Sequence, residues 1–106
     1  MSPKEKAMEQ INRIQKMEKR LGHASQVVKK LAAALDDYIE TQEDIRALES
    51  YYGSDEWKKD LADDEAHRLP EGLKRGVLSE DAIWNMLEDY RIVKARMQEC
   101  FRQENF

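Results

Sequence analysis

Lys74, Arg75 and Gly76 stand just before Ser79, a residue type that caps helices. Two cations, a flexible glycine and the free backbone N–H groups of a helix start are the parts of an anion site. Such a site could take a phosphate, a carboxylate or a nucleotide-like small ligand. The spacing is not that of a P-loop, and a structural use competes with it. Glu80 and Asp81 already bring negative charge to that helix start, and Lys74 and Arg75 can pair with the acidic stretch Asp60 to Glu65. Just beyond that stretch lies His67. On a helix, Asp63 and Asp64 fall four and three residues before it, a spacing at which a carboxylate and an imidazole could share a metal. A di-iron bundle needs such a pair from each of two helices, and only one is present; His23 is isolated. A solvated acidic turn accounts for the same residues, so no metal ligand is assigned. Tyr51, Tyr52, Trp57, Trp84 and Tyr90 could line a ligand pocket or stack on bases. At helical spacing, however, aromatics serve cores, and a base-stacking platform wants a basic groove where this stretch is acidic. Cys100 lacks a histidine partner that would make it a nucleophile, Ser54 and Ser79 lack a nearby base, and there is no glycine-rich nucleotide fingerprint. No catalytic residue and no cofactor are assigned, and the chain reads as non-enzymatic.

These residues need elements to position them, and the apolar pattern supplies them. Ile14, Met17, Leu21, Ala24, Val28, Leu31, Leu35 and Tyr38 alternate in steps of three and four, the a/d seam of a coiled coil, and the pattern continues through Gln42 to Ile45, Leu48 and Tyr52. Gly22 is open to two readings: a hairpin turn with Ser25 capping a second helix, or a mid-helix glycine. The heptad passes through it without a change of phase, which favours one helix over about 3–50, roughly 70 Å long, with Ser2 as N-cap and Pro3 in its first turn. A bend near Thr41, where Thr41 and Asp44 could form a capping box, is the lesser alternative. Gly53 then stops the helix and Ser54 caps a short one over about 55–66, with Trp57 and Leu61 on one face. Residues 67–78 hold Pro70, Gly72 and Gly76, yet Leu69, Leu73, Val77 and Leu78 make this an ordered loop. Ser79 caps a last helix, about 80–103, with Ile83, Leu87, Tyr90, Val93 or Lys94, Met97 and Phe101 as its buried stripe. The expected fold is all-α, a single helical domain over residues 1–106. Its C-terminal helix lies antiparallel on the second half of the first, covering Val28 to Tyr52, and Trp57, Trp84, Leu73 and Leu78 meet at the closed end.

The chain has 106 residues, with Lys+Arg 18 against Asp+Glu 22 and a net charge of −4, which disfavours a nucleic-acid partner. Gly 4 and Pro 2 leave too few turns for a sandwich or barrel, and Cys 1 excludes an internal disulfide. No apolar run is long enough to span a membrane, and the first residues carry no signal-peptide apolar region, so a cytoplasmic location and no membrane partner are expected. The charge is uneven: residues 1–30 carry +5, residues 31–66 carry −9 and the rest is neutral. Met8, Ile11, Ile14, Met17, Leu21 and Ala24 extend the apolar stripe beyond the reach of the last helix, and so form the candidate oligomer interface. The charge gradient favours an antiparallel homodimer of four-helix-bundle type, a protein-interaction or assembly module whose expected partners are itself and a further, unidentified protein.

The strings YYGSDEW and DDEAHRLPEGLKRGVLSEDAIWNMLED also resemble a family of small bacterial and phage-associated helical proteins, a domain of unknown function with the pattern YYGS-x-E-W followed by LP-x-x-LKRGVLSED. The likeness is loose over residues 11–50 and tight over 51–89, with Leu73 to Asp81 the most specific stretch. It implies a continuous helix through Gly22 and brings no reaction, cofactor or catalytic residue.

Overall fold

A computed structural model describes residues 2–104, and these are all-helical, with no strand among them. The elements are α1 (Pro3–Glu40), α2 (Gln42–Tyr51), α3 (Asp55–Glu65) and α4 (Ala82–Gln103), with one turn of 3-10 helix at Gly76–Leu78 ahead of α4. They divide into two compact units, one ending at Thr41 and one beginning at Gln42. Among the described residues no helix is long and apolar enough to cross a membrane.

The first unit is α1. Ser2 caps it: its hydroxyl oxygen accepts from Glu5 N at 3.2 Å, and Pro3, whose missing N–H would have no partner there, begins the first turn. The helix runs through Gly22, whose φ is not positive, so the hairpin is excluded. It does not run on to residue 50. Thr41 interrupts the expected helix, at φ −84° and ψ −2°, and its hydroxyl donates to Tyr38 O at 3.0 Å. A threonine hydroxyl bonded to a carbonyl of the preceding turn competes with the backbone ladder and bends or ends helices. The apolar register alone does not reveal that competition, because the register continues across it.

The second unit holds the core. α2 and α4 are antiparallel neighbours: Tyr52, just past the end of α2, donates from Oη to Glu80 O near the start of α4, and Gln42 and Ile45 share a cleft with Tyr90 and Lys94 further along it. Leu78, Ile83 and Leu87 are buried. Gly53 turns the chain at φ +79°, where a Cβ would be strained, and Ser54 then caps α3 by accepting from Trp57 N at 3.1 Å. α3 ends on a Schellman motif: His67 N bonds to Asp64 O, Arg68 N bonds to Asp63 O, and His67 itself holds φ +59°. α4 begins at Ala82 rather than 80: Asp81 takes the N-cap position without a side-chain cap bond, and the Ser79 hydroxyl accepts from Ala82 N at 3.2 Å from outside the helix. The packing of the last helix is also shorter than expected. Its observed partner is α2, while Val28, Leu31 and Leu35 stay exposed, as do Val93 and Phe101.

Candidate functional site

The residues with an unmet physical need are those of the α1 seam. A helix of this length ordinarily buries one face, yet α1 has no buried residue. Met8, Ile11, Ile14, Met17 and Leu21 range from 52% exposed at Ile14 to 62% at Leu21, and Ala24 is exposed with them. The stripe continues through Val28 at 63%, Leu31 at 65% and on to Ile39, a span of about 47 Å from Met8. Charge is sorted along the same helix. Every lysine and arginine of α1 lies at or before Lys30, whereas Asp36, Asp37 and Glu40 lie in its last turns, with no basic residue in the final turn. Carboxylates at a helix C-terminus oppose the helix dipole, so this placement does not serve α1 as a lone helix.

The Lys74–Ser79 segment is built differently. Arg75 is engaged within its own unit: its guanidinium donates to Asp64 Oδ1 at 2.7 Å and reaches Pro70 O, Glu71 O and Leu73 O at 3.3–3.4 Å. One planar fork thus gathers the carbonyls of the Pro70–Leu73 turn, which have no helix or sheet ladder to join, and ties them to α3. Ser79 is occupied as a cap, donating to Gly76 O at 3.0 Å while accepting from Ala82 N. Lys74 is exposed at the rim of an apolar groove with Leu48, Val77, Ile83 and Met86, and forms no ion pair among the described residues. The structure therefore gives Arg75 and Ser79 internal partners and leaves Lys74 apart from them.

The metal-spaced residues are likewise spent. Asp63 pairs with Arg68 at 2.9 Å and Asp64 with Arg75, His67 is the left-handed residue at the end of α3, and no group of three His, Cys, Asp or Glu side chains among the described residues is placed to hold an ion. Cys100 and His23 are exposed.

The aromatic residues act as clamps, a role the sequence pattern did not reveal. Trp57 Nε1 donates to Val77 O at 3.0 Å and Tyr52 Oη to Glu80 O at 3.3 Å, so two side chains flanking the Gly53 turn fix the carbonyls that lead into α4. Their rings meet edge to face, 5.1 Å apart. Tyr51 Oη donates to Asp60 Oδ2 at 2.6 Å. That bond, together with burial and the nearby charges of Asp60 and Glu56, pushes the tyrosine up to about 12. The readable signal was amphipathic donors beside a loop rich in Pro and Gly, whose carbonyls need partners.

No curated protein and no solved structure matches the chain at a significant level. The model of a family described as "Domain of unknown function (DUF4298)" matches residues 14–100.

Proposed function

The chain belongs to this family, a domain of unknown function, and we propose that it is a cytoplasmic assembly module that pairs with a second copy of itself, antiparallel, through the α1 seam. The carrying observation is the seam's exposure: a continuous apolar stripe on a helix with no buried residue. Burying Met8, Ile11, Ile14, Met17 and Leu21 is worth about 1.5–3 kcal/mol each before ordering costs, enough for a micromolar or tighter dimer once those costs are met. The sorted charge supports the antiparallel choice. It brings Lys4, Lys6 and Arg13 of one copy toward Asp36, Asp37 and Glu40 of the other, and offsets the carboxylates' conflict with their own helix dipole. Arg75 and Ser79, already engaged within the chain, give an anion site no comparable support. One exposed cysteine suits a reducing compartment.

Light scattering at micromolar concentration is expected to give twice the chain mass. Ile14→Asp with Leu21→Asp is expected to halve it while tryptophan fluorescence, from Trp57 and Trp84 in the second unit, stays unchanged. A wild-type monomer at high micromolar concentration removes the proposal.

A further inference from the structure

A second surface, wholly within the Gln42–Gln103 unit, has the chemistry of an organic-cation site. Tyr52, Trp57, Leu61 and Trp84 line an open cleft of about 650 Å³ whose remaining walls are Glu80 and Asp81. No lysine or arginine lines it. Three observations bear on its occupant.

The rings are held in place. Trp57 Nε1 and Tyr52 Oη are tethered to Val77 O and Glu80 O, and the two ring planes stand at 66°, a corner rather than a stack. Trp84 forms part of the wall and is 50% exposed, far more than a core tryptophan would be.

The carboxylates are unspent. Glu80 and Asp81 form no ion pair among the described residues, unlike Asp63 and Asp64 nearby. Asp81 stands at the N-cap position of α4 and makes no side-chain cap bond there, because Ser79 has that role. Two full negative charges outweigh the partial positive charge of the α4 N-terminus.

The cleft is open to solvent, which selects among cations. A bare ammonium or a metal ion keeps its tight hydration shell in an open cleft. An alkylated ammonium is weakly hydrated, and exchanges water for aromatic faces at little cost while still feeling the carboxylates. We infer that the Tyr52–Trp57–Trp84 cleft binds a quaternary or methylated ammonium group, its charge balanced by Glu80 and Asp81. This does not rest on the assembly reading, since every residue of the cleft lies outside α1.

The test is tryptophan fluorescence of the full chain titrated with choline, with 3,3-dimethylbutan-1-ol as the neutral carbon isostere and sodium chloride as the ionic control. Choline is expected to give a saturable change with a dissociation constant on the order of millimolar, from a few cation–π contacts plus screened attraction. The alcohol and the salt are expected to give none. Trp84→Leu, which keeps apolar bulk and removes the ring, is expected to weaken binding about two- to fivefold, as loss of one exposed cation–π contact would. Trp84→Phe is expected to retain most of it. Glu80→Gln with Asp81→Asn, both at exposed positions outside the core, is expected to weaken it and to flatten its salt dependence. The same titration with the amide of Nε-trimethyllysine tells a free headgroup from a side-chain-borne one by which binds tighter. A response to the alcohol equal to that for choline, no saturation with any cation, or undiminished binding in Trp84→Leu overturns the assignment.

Discussion

The two units solve the problem of holding a helix in opposite ways. In the second unit the helices are shorter, and the turns between them are tied: Ser54 and Ser79 cap, Arg75 and Trp57 bind loop carbonyls, and Leu78, Ile83 and Leu87 are buried. In the first unit a single helix of 38 residues has a capped start and no buried residue at all. Length does not substitute for burial, because most helical stability in proteins comes from packing an amphipathic face. The contrast teaches that one unit buries apolar side chains within the chain, while the other leaves an apolar stripe exposed, the surface that the proposed pairing would cover.

The sharpest way to break that contrast is to vary concentration. If α1 is stabilised by association, its melting, read by circular dichroism, rises with protein concentration, each tenfold step adding about 1.4 kcal/mol to the dimer. Trp57 and Trp84 both lie in the second unit and report it alone; their transition is expected to hold still. Two coincident transitions that ignore concentration would put both units under one intramolecular core. The converse is Leu87→Ala. Leu87 is 8% exposed, so its truncation is expected to cost the second unit about 2–4 kcal/mol by urea titration followed by fluorescence, with the dimer mass unchanged in the native range.

The same contrast explains what could be read from the sequence. The caps Ser2 and Ser54 and the stop at Gly53 were legible because each is a local rule, satisfied within four residues. The seam was legible because periodicity needs only the sequence. The exposure of Val28, Leu31 and Leu35 was not, because an apolar stripe does not say which element covers it. Thr41 was half-legible: its residue type suggested a break in the regular helix, the register ran on across it, and in the structure α1 ends at Glu40 with the Thr41 hydroxyl bonded to Tyr38 O. Arg75 illustrates the limit at the candidate site. A cation beside a glycine and a helix start looks the same whether it awaits an anion or already holds Asp64, and only the distance of 2.7 Å separates the two.

A smaller effect tests how far the second unit's ties extend. Tyr51 has its pKa raised to about 12 by its bond to Asp60, then by burial, then by the charges of Asp60 and Glu56. A raised folded-state value means that the stabilisation is complete below the unfolded tyrosine value of about 10 and is lost as pH rises through about 12. Fluorescence-detected stability of the second unit is therefore expected to fall more steeply between pH 10 and 12 in the wild type than in Tyr51→Phe, and the first unit's association is expected to show no such difference. Equal slopes would mean that the Tyr51–Asp60 bond is absent in solution.

The smallest effect separates the units by sign. Gly22 lies within α1, without positive φ, and a Cβ built there meets nothing within 4 Å. Gly53 likewise has open space around it, but holds φ +79°. Sterics are thus equal at the two sites and only the backbone differs. Gly22→Ala removes the entropy cost of a mid-helix glycine and is expected to stabilise α1 by about 0.5–1 kcal/mol, seen as a rise in the concentration-dependent transition. Gly53→Ala places a side chain in the left-handed region and is expected to destabilise the second unit by about 1 kcal/mol, seen in the fluorescence transition. Opposite signs, each confined to its own transition, would show that the two units are held independently. If Gly22→Ala lowers stability, then α1 is not helical through residue 22 in solution, and a hairpin there would hide the apolar stripe within one chain and remove the need for a second copy.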